Sequence, residues 1–196
     1  QRLEAEMVRD VALQAAGLLS EKRFGPSVHP PQPEGLWQAA FNGQRDWKES
    51  TGEDRYRRGV YVFLRRTIPY PMLDTFDAPS RETCTVRRVP TNTPLQAFVT
   101  LNDPVFVEAA LELAKKTSLA ADLVFGDPTR FGVEDMLWRV LARPPQDAQR
   151  ELLVKLYEDA LEIYSIVDPL GVAVSDLLPG FREYASDVCL VRSMHT

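Results

Sequence analysis

Apolar residues recur at helical spacing along most of the chain, most clearly at its start. Leu3, Met7, Val8, Val11, Ala15, Leu18 and Leu19 share one face over 2–19, and Arg2, Glu6, Arg9 and Asp10 are left for the polar side. Gly17 and the following Ser20-Glu21-Lys22 mark its end. The succession Thr93-Pro94-Leu95-Gln96 is a legible helix start: Thr93 can cap free amides, Pro94 suits the first helical position, and Gln96 completes a capping box. Asn102-Asp103-Pro104 begins the next helix in the same way, with Val105, Ala109 and Leu113 as one stripe running to about Lys116. Further stripes predict helices over 133–142 (Val133, Leu137, Val140, Leu141) and 147–163 (Leu152, Leu153, Leu156, Ala160, Ile163). Arg143-Pro144-Pro145 separates those two. The expected fold is mainly α, an irregular helical domain with long proline-rich loops.

Two stretches break the periodicity. Residues 23–54 carry Gly25-Pro26, Pro30-Pro31, Pro33, Asn42-Gly43 and Thr51-Gly52, a density that removes amide donors and disfavours regular structure. Val28, Leu36, Trp37, Phe41 and Trp47 are nevertheless poor residues to leave in water, so the segment reads as an ordered arm wrapped over a helical core. Residues 54–67 fit two descriptions. Val60 to Leu64 has strand propensity, but Tyr56, Val60, Phe63 and Leu64 also line one helical face, and helix is the favoured reading. Pro69 and Pro71 then end it.

Composition narrows the function classes. The 196 residues carry a formal charge of −5, which disfavours nonspecific nucleic-acid binding. No apolar run approaches the roughly 20 residues of a membrane-spanning helix. The chain opens without Met or a signal-peptide core, on residues that read as mid-helix, so it is expected to begin inside a domain. Cys84 and Cys189 lie in dissimilar contexts and are read as unrelated buried thiols; a disulfide between them would need their Cα atoms within about 7 Å. His29 and His195 are the only histidines. With no adjoining ligand pattern, neither a metal centre nor a cofactor site is expected in this chain.

The most distinctive chemistry is an arginine-rich middle: Arg55, Arg57, Arg58, Arg65, Arg66, Arg81, Arg87 and Arg88. Guanidinium forks pair with carboxylates, phosphates or sulfates. One reading is a site for an anion or acidic sugar, with Arg57, Arg58, Arg65, Arg66, Arg87 and Arg88 as its candidates. The other is an arginine–carboxylate lattice that pins the proline-rich loops to the helices. Asp74, Asp77 and Glu82 could supply acid and base to a glycosidase-like centre, or simply form turns. Trp37, Trp47, Tyr56, Tyr61 and Tyr70 could stack on sugars or pack among the prolines.

These motifs, taken in order, carry a family likeness. The chain shows Arg2-Leu3-Glu4-Ala5-Glu6-Met7-Val8-Arg9-Asp10, then Gly25-Pro26-Ser27-Val28 with Pro30 and Gln32-Pro33. Tyr56-Arg57-Arg58-Gly59-Val60-Tyr61, Arg65-Arg66-Thr67, Phe76-Asp77-Ala78-Pro79 and Cys84 follow, then Arg87-Arg88, Thr91 to Ala97, and Leu101-Asn102-Asp103-Pro104. Residues 1–163 resemble the C-terminal part of the planctomycete and verrucomicrobial proteins called domain of unknown function 1553. The resemblance implies a secreted or periplasmic multidomain protein whose N-terminal domains are missing here. Such proteins often carry a domain of unknown function 1549 and a cytochrome c domain, and any haem would belong to that missing domain. It also implies a link to polysaccharide breakdown, but supplies no catalytic residues to carry over.

Residues 164–196 depart from that pattern. Gly171 to Pro179 and Asp187 to Thr196 resemble an internal stretch of domain of unknown function 1501, a family similar in fold to sulfatases and alkaline phosphatases. The expectation is a join near 164–170, with Val188-Cys189-Leu190-Val191 as an orphan strand. Three functions follow: a non-catalytic binding or scaffold module, recognising anionic polysaccharide; part of a polysaccharide-acting enzyme using Asp74, Asp77 or Glu82; or a truncated chimera with no function of its own.

Overall fold

The computed structural model describes residues 2–81, 83–121 and 126–167. It is mainly α, as the apolar periodicity predicts. The expected strand at 188–191, with Cys189 and His195, lies outside the described residues. The chain divides into two compact units, Gln1–Pro144 and Pro145–Thr196.

The first unit is built on α1 (Ala5–Ala16), which ends where Gly17 turns left-handed at φ 66°. Lys116 reinforces that end, its Nζ donating to the Ala16 carbonyl at 2.6 Å. The helix is rotated relative to the sequence expectation. Ala5, Arg9, Leu13 and Ala16 face inward, whereas Leu3, Met7 and Val11 are 47%, 49% and 43% exposed. The physical reason is that the polar residues are the anchors for distant irregular segments. Arg9 donates to the Arg55 carbonyl at 2.8 Å, and Asp10 accepts from the Gly59 amide at 2.6 Å and from Arg58 at 3.0 Å. Glu6 receives both prongs of the Arg88 fork.

The region 54–67 is not a helix. It forms two 3-10 turns, Gly52–Tyr56 and Gly59–Tyr61, followed by extended backbone. Gly59 lies so close to α1 that a Cβ there would meet the Glu6 carbonyl oxygen at 2.8 Å and its Cα at 2.9 Å. Beyond it, Val62 forms a parallel bridge with Val28, through Val28 N–H to the Tyr61 carbonyl at 2.9 Å and Phe63 N–H to the Val28 carbonyl at 2.8 Å. Backbone hydrogen bonding to the arm thus outcompetes the local helical pattern.

The arm is ordered over the core, as expected, and contains one short helix, α2 (Leu36–Ala40). Its prolines leave an excess of carbonyls over amides, and buried carbonyls need donors. Long side chains supply them. Trp47 Nε1 donates to the Pro30 carbonyl at 2.7 Å, Tyr70 Oη to Pro31 at 2.5 Å, and Arg57 to Pro26 at 2.9 Å and Phe24 at 2.5 Å. Burial pushes the Tyr70 hydroxyl well above its ordinary pKa. Tyr70→Phe would strand the Pro31 carbonyl, and a loss of about 1–2 kcal/mol is expected in urea-induced unfolding.

The core joins Ala5, Val62, Tyr70, Phe106 and the Met72 and Leu73 pair of α3 (Pro71–Thr75). Next come α4 (Pro94–Asn102), α5 (Pro104–Ala121) and α6 (Pro128–Leu141). All three open on proline, because a missing amide costs nothing in the first turn. At α4 the Gln96 side chain accepts from the Thr93 amide at 3.4 Å, as the capping box requires. Asp103 Oδ1 accepts from the Val105 amide at 2.9 Å at the start of α5, and Asp127 accepts from Thr129 and Arg130 at the start of α6. Both later helices outrun expectation, α5 at its end and α6 at its start. Ala109 and Leu113 of α5 meet Ala16 in a second apolar cluster, against which Met136 of α6 packs. In the second unit, α7 (Asp147–Val167) continues beyond the expected residue 163.

Candidate anion-binding site

The loop joining α3 to α4 is tied down at both ends, and residues 83–87 between them are exposed. Asp77, left-handed at φ 65°, accepts from the Thr91 amide at 2.7 Å and the Thr91 hydroxyl at 2.8 Å. Those bonds hold the Asp77 carboxyl below its usual pKa. Gln96 ties the same base to α3, donating to the Thr75 carbonyl at 2.9 Å. On the far limb, Arg88 grips Glu6 at 2.6 and 3.0 Å and reaches Glu4 at 3.4 Å. The hydrogen bond from Arg88 lowers the Glu6 pKa, while the same bond raises that of Arg88.

Between these anchors residues 83–87, the crest, face solvent. Val86 is fully exposed and Val89 is 76% exposed. Two open clefts flank the crest. One, of about 430 Å³, is lined by Arg66, Pro79, Arg81, Thr83, Cys84 and Thr85. The other, of about 540 Å³, includes Arg2, Asp77, Thr85, Arg87 and Arg88 in its wall. Thr85 belongs to both. Arg66, Arg81 and Arg87 are exposed and have no hydrogen-bond or ion-pair partner among the described residues.

Arg66 owes its position to a tight turn. The Ile68 amide donates to the Arg65 carbonyl at 3.1 Å, which leaves Arg66 at the outside of the bend. Arg65 next to it lies instead over the rings of Phe41 and Trp37, at 4.8 and 5.7 Å from their centroids.

A comparison with protein-family models decides the assignment: the model for PSD1, a protein of unknown function (DUF1553), matches residues 1–157. The chain belongs to the DUF1553 family. No curated protein and no solved structure matches it.

Within this DUF1553 chain the sequence-predicted arginines have separate fates. Arg57 is completely enclosed, bonded to carbonyls and stacked 4.0 Å over Tyr61. Arg58 pairs with Asp10, and Arg55 spans Glu108 and Glu49 at 3.1 and 3.2 Å. Arg66 enters one cleft, and Arg87 and Arg88 the other. Arg2, Arg81, Thr83 and Thr85 also line the walls, with Glu4 and Asp77 in the second cleft; Arg81 stood in the arginine run, but the threonines gave no sequence signal.

The expected buried thiol at Cys84 is instead exposed, because the crest does not pack against a helix. Of the carboxylates considered for acid–base chemistry, Asp77 is clamped by Thr91, Asp74 lines neither cleft, and Glu82 lies outside the described residues. Of the aromatic residues, Trp37, Trp47 and Tyr70 pack with His29 and Phe63 in one cluster, whereas Tyr56 bonds Glu108 and Tyr61 lies under Arg57. Burial there lowers the His29 pKa. Among the described residues, no three of His, Cys, Asp and Glu gather as a metal site, and no helix is long and apolar enough to cross a membrane.

Proposed function

We propose that the first unit of this DUF1553 chain is a non-catalytic binding module for an anionic polysaccharide, carried by a secreted or periplasmic multidomain protein. The observation behind this reading is the contrast among the arginines. Those that hold the fold are buried or paired, whereas Arg66 and Arg87 stand exposed with no ion-pair partner among the described residues, and the two carboxylates in the wall of the second cleft, Glu4 and Asp77, are engaged by Arg88 and Thr91. Thr83 and Thr85 add hydroxyls suited to sugar hydroxyls. An acid–base role for Asp77 is disfavoured, since its two carboxylate oxygens already accept from Thr91 and its lowered pKa keeps it from donating a proton near neutrality.

Isothermal titration with dextran sulfate and neutral dextran tests the reading. Binding of the sulfated polymer alone is expected, weakening as salt screens the contacts. Arg66→Ala and Arg87→Ala should each reduce affinity by about tenfold, the worth of one charge-assisted hydrogen bond. Absence of binding at low salt would sink the proposal.

A further inference from the structure

We infer that the two clefts act as one site for a single linear polyanion, which sets charged groups in both and passes across Thr85. This rests on the anionic-polysaccharide reading above and adds a geometry to it. The clefts share Thr85 in their walls, so they meet at that point of the crest. Each presents a guanidinium with no hydrogen-bond or ion-pair partner among the described residues, Arg66 in the first and Arg87 in the second. Thr83 to Arg87 make no hydrogen bond to the rest of the described protein, so their amides and hydroxyls are open to a ligand along the whole crossing.

The shape of the site also selects the ligand. A pocket for a small anion encloses most of its surface, whereas these clefts open broadly to solvent on either side of an exposed crest. Two open clefts that meet at Thr85, each with an exposed guanidinium, suit a chain laid across the crest. Joining two weak contacts through one molecule makes the second contact intramolecular and raises affinity without any new interaction.

Sulfated oligosaccharides of graded length, titrated into the full chain at low salt, test the inference. The shortest, bearing one sulfated sugar, should bind weakly at two positions. One long enough to bridge should bind one per chain, and roughly a hundredfold more tightly, as expected for linked contacts. Arg66→Ala or Arg87→Ala should each cut that advantage to about tenfold; both side chains are exposed and unpaired, and circular dichroism would verify that the fold is kept. Equal affinity per site at all lengths, with two molecules bound throughout, would overturn the bridging geometry while leaving the binding function intact. No binding at any length would overturn both. Polyglutamate binding more tightly than the bridging glycan would overturn the ligand class in favour of an acidic polypeptide.

Discussion

Gly59→Ala is expected to destabilise the chain by about 2–3 kcal/mol, because the added methyl has no space and its neighbours cannot move aside. The nearest atoms are the backbone oxygen and Cα of Glu6, at 2.8 and 2.9 Å, fixed in the first turn of α1. Relief would require the second 3-10 turn to lift from the helix, stretching the 2.6 Å bond from the Gly59 amide to Asp10. In a thermal melt the midpoint should fall by roughly 5–10 °C for a chain of this length. Gly132→Ala provides the contrast. A Cβ there meets nothing closer than 3.8 Å, and the residue lies inside α6. Alanine's better helix propensity should stabilise by up to about 1 kcal/mol. Opposite signs are therefore expected from the same chemical change. Equal melting of Gly59→Ala and the parent would contradict the contact between the turn and α1.

The second large effect is expected at Arg57. Arg57→Met keeps most of the aliphatic stem but strips donors from the Phe24 and Pro26 carbonyls, bonded at 2.5 and 2.9 Å. It also removes the cation above Tyr61. Two stranded carbonyls, with the lost ring contact, place the cost at about 3–4 kcal/mol. Arg57→Lys should recover only part of this, since a single ammonium does not reproduce a fork that reaches two carbonyls. Arg66→Met, the same change at an exposed and unpaired position, should shift stability by less than about 0.5 kcal/mol. Urea denaturation of the three variants separates the roles. The buried arginine belongs to the fold and the exposed one to binding.

That contrast also marks what sequence can and cannot disclose. Helix starts were legible because their chemistry is local: Thr93 with Pro94 and Gln96, and Asp103 with Pro104. Asp127-Pro128 carries the same signal, yet the apolar stripe alone placed that helix at 133 instead of 128. The orientation of α1 was not legible. Periodicity identifies two sides of a helix, but the partners of its polar side are the Arg55 carbonyl, Gly59 and Arg88, which lie far along the chain. Residues 54–67 failed for a similar reason. Their helical spacing is real, but Val62 and Phe63 find the backbone of Val28, and Gly59 must lie flush on α1.

The candidate site was half legible. The run of arginines announced an anion-binding or lattice-forming segment, and both outcomes occur in it. Which arginine does which depends on packing that no spacing encodes. Arg65 and Arg66 are neighbours, yet one covers aromatic rings and the other faces solvent because a tight turn falls between 65 and 68. Likewise Arg88 is consumed by Glu6, whereas Arg87 beside it remains unpaired.

The binding of an anionic polysaccharide is assigned to the exposed arginines of the two clefts, Arg66 and Arg87. The most direct test is titration of dextran sulfate into the parent chain and into an Arg66→Ala/Arg87→Ala double variant of verified fold, at low and high salt. Saturable, salt-sensitive binding by the parent, weakened about a hundredfold in the double variant, is the predicted result. Binding of equal strength by both proteins would place the contact elsewhere and contradict the claim.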